Sequence, residues 1–116
     1  MKAKSQKKKK RLKSARQIDP SIDGSMVDKS AVIKAIEWIE NHNFNSITSF
    51  NSEHSSYMLK HLVEAQIGQY LSNESLIVAM VNCGFKGKPI VMGSSVYCFN
   101  VSKKSINKAS KNILML

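Results

Sequence analysis

SSYMLKHLVEAQIGQYLSNESLIVAMVNCGF, residues 55–85, reads as two helices that meet at a tight break. Ser55 or Ser56 caps the first helix, which runs to about Tyr70. Its Leu59, Leu62, Val63, Gln66, Ile67 and Tyr70 gather on one side at 100° per residue. Tyr57, His61 and Glu64 stack on the opposite side. Leu71-Ser72-Asn73 is the break, and Asn73 caps a second helix over about residues 74–83. Leu76, Ile77, Met80 and Val81 mark its core face, and Gly84 is its stop signal. Two helices so joined have the order of a helix-turn-helix.

Working outward, Ser25 with Asp28 three residues on reads as the start of an earlier helix, residues 26–41. Val32, Ile33, Ile36 and Ile39 would face its core. Residues 43–56 are rich in Asn and Ser and hold a short strand or an ordered loop, with Ile47 and Phe50 as anchors. Downstream, Lys86-Gly87-Lys88-Pro89 reads as a turn. Residues 90–92 and 96–101 then read as the strands of a β-hairpin joined through Gly93-Ser94-Ser95. From Ser102 the pattern is helical, with Ile106, Ala109 and Ile113 on one face and Lys104, Lys108 and Lys111 on another. Three helices, a hairpin and a C-terminal helix predict an α+β, winged-helix-like domain over residues 25–116.

Charge divides the chain differently. Residues 1–16 hold nine of the eighteen Lys and Arg and none of the eight acids. A block this dense repels itself and buries no core, so residues 1–18 read as a disordered basic arm, followed by a linker at 19–24 marked by Asp-Pro and Asp-Gly. Residues 17–102 carry five Lys against eight acids, 5 − 8 = −3, so the body is not a phosphate binder by net charge. The arm, with Lys7, Lys8, Lys9, Lys10, Arg11, Lys13 and Arg16, points to a nucleic-acid partner met through its phosphates, DNA in preference to RNA. A plain solubility tail is the competing reading.

The pattern Ser56-Tyr57, Leu59-Lys60-His61, Glu64, Tyr70, Ser72-Asn73, Ile77, Ala79-Met80 and Gly84-Phe85 resembles small accessory proteins of phages, plasmids and integrative elements. The resemblance covers about a quarter of the chain. It implies a mobile-element origin and a site near the helix that begins at Ser55 or Ser56. It implies no activity.

Three candidate sites follow. The first is the arm, joined by Lys104 and Lys108, which either add phosphate contacts or only solubilise a helix packed on the core. The second is the Tyr57, Lys60, His61 and Glu64 face. It is either an interaction surface able to bind a phosphate or move a proton, or a solvated face with a weak Lys60–Glu64 pair. The third is the helix after Asn73, which would be a recognition helix but offers only Glu74, Ser75 and Asn82 as polar groups. Cys83 and Cys98 read as buried thiols in a reducing cytoplasm, and His42, His54 and His61 lack metal-ligand spacing. No pattern calls for a metal or a cofactor, or for an enzyme. No apolar run approaches the ~20 residues of a membrane span. The leading expectation is a non-enzymatic nucleic-acid-binding accessory protein. A module that docks on a host or phage protein, inhibiting a defence or replication enzyme, is the alternative.

Overall fold

A computed structural model describes the backbone of residues 12–114 and the side chains of residues 12–110. Arm residues 7–11, and the side chains of Lys111 and Ile113, fall outside that range. The described chain is an α+β domain of five helices, α1 Ala15–Ile18, α2 Lys29–Asn41, α3 Ser56–Ile67, α4 Asn73–Asn82 and α5 Lys103–Leu114, with strands β1 Ser46–Asn51, β2 Gly87–Pro89 and β3 Tyr97–Val101. The strands form one antiparallel sheet in the order β1-β3-β2.

Local chemistry sets the helix ends. The Asp28 carboxylate accepts the Ser30 amide proton, so α2 begins at Lys29, three residues later than expected. Residues Gly24–Met26 instead form a 3₁₀ turn capped by Asp23. Ser55 caps α3, which stops at Ile67 because Gly68 turns left-handed (φ 69°) and closes the helix onto the Glu64 carbonyl. The expected extension to Tyr70 does not form, and Tyr70 stands 68 % exposed. Ser72, not Asn73, caps α4: its Oγ accepts the Ser75 amide proton and donates its own to the Met26 carbonyl.

Helix α4 is the centre of the molecule. Ser75 to Met80 are buried without a break, so no side of this stretch faces solvent, unlike an amphipathic surface helix. Helices α2 and α3 pack on it, with Ala31, Val32, Ala35, Ile39, Leu59 and Val63 buried between them. Ile33, expected on the core face, is 41 % exposed. The sheet closes the other side through Tyr97, Phe99 and Val101, and α5 adds Ile106 and Ala109.

The hairpin is present but its arms are displaced. Gly87 to Pro89, expected as a turn, pair with Tyr97 to Phe99. A Cβ on Gly87 would lie 2.7 Å from the buried Phe99 ring, so this edge strand needs glycine to approach β3. Ile90, Val91 and Met92, expected as strand, form the exposed connection instead. Residues 43–56 do hold a strand, but Ile47 is 40 % exposed and Phe50 only half-buried; Phe44 is the side chain that enters the core.

Candidate nucleic-acid interface

The end of the expected arm is part of the folded body. Ser14 and Gln17 form a reciprocal capping box around α1, and Ala15 is buried. The Asn82 side chain clasps the Lys13 backbone from both sides: Oδ1 accepts its N–H at 2.7 Å and Nδ2 donates to its carbonyl at 3.0 Å. Residues 13–18 are therefore held on the end of α4, inside the range read as disordered. The Ser14-x-x-Gln17 spacing signals this in the sequence, but the charge density around it dominates the reading.

This clasp fixes where the cations sit. Lys13 and Arg16 line a cavity of about 660 Å³ with Lys29 of α2, over a floor that includes Val32 and Val78. Lys13 also lines a second cavity with Lys86 at the foot of the hairpin. Lys86, with Lys88 at the base of the hairpin, is a possible added phosphate contact from the sequence, whereas Lys29 stands alone there and gives no such signal. Lys104 and Lys108 are exposed on α5, one turn apart, whereas Lys103 beside them is tied to Glu53 at 2.8 Å.

The Tyr57, Lys60, His61 and Glu64 residues do come together, but not as a solvated face. Lys60 is buried, with its Nζ 3.4 Å from Glu64 Oε1, 4.9 Å from the Tyr70 ring centre and 5.6 Å from that of Tyr57. Glu64 Oε1 also accepts the Leu71 amide proton at 3.0 Å, and Oε2 lies 3.1 Å from His61 Nδ1. Burial pushes the Glu64 carboxyl up, but the Leu71 amide, the Lys60 ammonium and the His61 ring together hold it below its ordinary value. The cluster thus ties α3 to the break before α4. Its rim, Tyr57, His61 and Tyr70, is exposed, and Glu64 is half-buried. Its chemistry is that of a pinned ion pair with an exposed aromatic edge.

Other residues of the resembling pattern are also spent on the fold. Ser56, fully buried, donates its hydroxyl to Asn73 Oδ1 and accepts the Tyr97 amide proton at 2.9 Å. Asn73 Nδ2 donates to the Ser95 carbonyl at 2.8 Å, so one network joins α3, α4 and the hairpin. The Tyr97 hydroxyl donates to Asp19, which holds the Asp19 carboxyl down; burial and this acceptor push the Tyr97 hydroxyl up to about 12.

Of the polar groups of α4, Glu74 alone, half-buried, is left without a partner among the described side chains, too little to read a sequence. Ser75 is buried, its Oγ accepting the Asp28 amide proton at 2.9 Å, and the Asn82 amide is committed to Lys13 and the Val78 carbonyl. Among the described residues no three His, Cys, Asp or Glu side chains converge as a metal site. Cys98 is buried, and burial with nearby Glu40 pushes the Cys83 thiol up to about 12. No described helix is long and apolar enough to cross a membrane. No protein-family model, curated protein or solved structure matches the chain.

Proposed function

We propose that this chain is a non-enzymatic nucleic-acid-binding accessory protein of a mobile genetic element, acting in the cytoplasm on DNA in preference to RNA. The observation that carries the reading is the concentration of nine cations in residues 1–16, anchored by the Asn82 clasp on Lys13. The clasp fixes the root of the arm beside Arg16, Lys29 and Lys86, so phosphates held by the arm meet further cations on the body. The order α2-β1-α3-α4-β2-β3, with β1 against β3, supports a winged-helix-like reading of the body. The burial of α4 argues that such a body holds a duplex without reading it through that helix.

The test is the salt dependence of binding to mixed-sequence duplex DNA. Residues 1–11 hold seven cations, and each phosphate neutralised contributes about 0.9 to the slope of log K against log salt. The full chain should show a steep slope, and a chain beginning at residue 12 should lose about 6 from it if all seven engage. That deletion leaves the clasp and α1 intact. An unchanged slope would refute the arm as the phosphate contact.

A second reading, docking on a host or phage protein, is favoured by one observation: Tyr57 and Tyr70, 53 and 68 % exposed, flank the same Lys60 ammonium on and after α3. A partner retained after nuclease treatment and lost in Tyr57→Ala with Tyr70→Ala would support it.

A further inference from the structure

A cavity of about 640 Å³ opens between the end of α2 and the first turns of α5, in the size range of small-ligand sites, about 300–1,000 Å³. Its lining carries two ammonium groups, Lys104 and Lys108, the His42 imidazole and four side-chain amides, and no carboxylate. Among the described residues Lys104 and Lys108 form no salt bridge, while Lys103 does. Spaced i, i+4, the two free cations lie on one face of α5. The first turn of α5 adds a positive helix end, against the carbonyls at the end of α2; the lysine pair decides the sign in favour of an anion.

The walls are braced. The Asn45 carbonyl accepts the Ser102 amide proton at 2.7 Å, and the Asn45 amide donates to Ser105 Oγ at 3.2 Å. The His42 ring stacks on Trp38, with centroids 4.1 Å apart, and its Nδ1 lies 2.8 Å from the Trp38 carbonyl. A carbonyl only accepts, so Nδ1 carries the proton and Nε2 is the ring's remaining polar atom. Asn43 adopts a left-handed φ of 51°, a conformation that asparagine tolerates better than most residues. Ammonium and amide donors on a braced frame match phosphate oxygens.

Lys29, at the first residue of α2, lines the cavity beside the arm, and Asn41, at its last, lines this one. Twelve residues at 1.5 Å rise separate the two by about 18 Å, close to five steps of a strand at about 3.4 Å. We propose that this cavity is a second phosphodiester site, which engages the same nucleic acid that the arm holds, roughly five phosphates along. The inference rests on the nucleic-acid reading above, gives Lys104 and Lys108 a defined site and adds His42 and the asparagines to it.

The experiment uses the full chain and a 12-base-pair mixed-sequence duplex, following the His42 ring signals by NMR and the salt slope of binding. The duplex should move the His42 signals. Lys104→Gln with Lys108→Gln should abolish that movement and lower the slope by about 1.8, two contacts at about 0.9 each. Lys103→Gln should do neither. Unmoved His42 signals during tight, salt-dependent binding would overturn the site and leave the arm reading standing. No binding at all would overturn the arm reading as well. An equal loss of slope in Lys103→Gln would reduce the effect to general charge. An equal His42 response to inorganic phosphate at the same phosphate concentration would make this a free-anion site and overturn the polymer assignment.

Discussion

Lys60→Glu is the most searching perturbation of the body, because it separates a pinned ion pair from a solvated one. In the wild type the Lys60 ammonium is 3.4 Å from a Glu64 carboxylate that also holds the Leu71 amide, and Lys60 is only 5 % exposed. The substitution points a second carboxylate at the first. At a separation near 4 Å and an effective dielectric of 20, the repulsion is about 4 kcal/mol. The pair can escape part of this by protonating one carboxyl, which costs about 1.4 kcal/mol for each pH unit above the ordinary Glu value of ~4.3, or about 3.7 kcal/mol at pH 7. Both routes give about 3–4 kcal/mol, in line with breaking a buried pair. For a domain of this size that is a fall in Tm of roughly 12–30 °C.

The signature is its pH dependence. By the same protonation argument the penalty shrinks by about 1.4 kcal/mol per unit as pH is lowered from 7 towards 5. Lys60→Met keeps the aliphatic stem in its slot and trades lost ring and ion-pair contacts against relief of ammonium desolvation, so it should cost about 1 kcal/mol. His61→Ala, at the exposed rim, should stay within about 0.5 kcal/mol. Urea denaturation of the three variants at pH 7 and pH 5 measures all of this. A Lys60→Glu penalty under about 0.5 kcal/mol at pH 7 would show that the ammonium is free in solvent and that the cluster does not pin α3 to α4.

Gly87→Ala should destabilise by about 1–3 kcal/mol in the same assay, because its Cβ would meet the fully buried Phe99 ring at 2.7 Å and force a shift in the core. Tyr97, raised from 10 to about 12, holds its proton more tightly in the folded state. Its contribution is therefore complete below pH 10 and is lost as pH rises towards 12, and Tyr97→Phe should flatten the fall in Tm over that window. Selection from a random duplex library should return no sharp motif, since a specific reader needs several base-edge contacts of about 1–3 kcal/mol each, and on α4 Ser75 and Asn82 are internally committed, leaving Glu74. A strong motif lost in Asn82→Ala, with α1 still folded, would refute that.

The class of the fold and the order of its helices were legible from apolar spacing and from Gly and Ser punctuation, because both act within a few residues. The misplaced helix ends are local matters of a few residues, whereas the larger misreadings depend on groups farther away in sequence. Lys60 looks polar on a helical wheel, and the Tyr70 ring, brought round beyond Gly68, lies over its ammonium while the Leu71 amide pins its partner Glu64. The strand at Gly87 to Pro89 is three residues long and holds both strand breakers, so nothing local announces it; Phe99 selects it. Strand β1 shows no alternation because its first four residues are exposed. Of the candidate site, the cations could be counted in sequence but not grouped. The cavity that joins His42 to Lys108 unites residues 66 positions apart.

Where sequence signal is densest, the structure has already used it. Ser56, Asn73, Lys60, Glu64 and Ser72, the distinctive members of the resembling pattern, are occupied in holding α3, α4 and the hairpin together. A pattern of this kind marks a way of folding, and its residues have few bonds left for a partner. The groups free to meet one are compositionally plain: exposed lysines on α5, Lys29 and Lys86 near the arm's root, and a rim of tyrosines. They suit a ligand recognised by charge and stacking, to which the exact sequence of the arm matters little and its count of cations matters a great deal. Scrambling residues 2–11 at constant composition should therefore leave the salt slope unchanged, while replacing four of those lysines with glutamine should lower it by about 3.6.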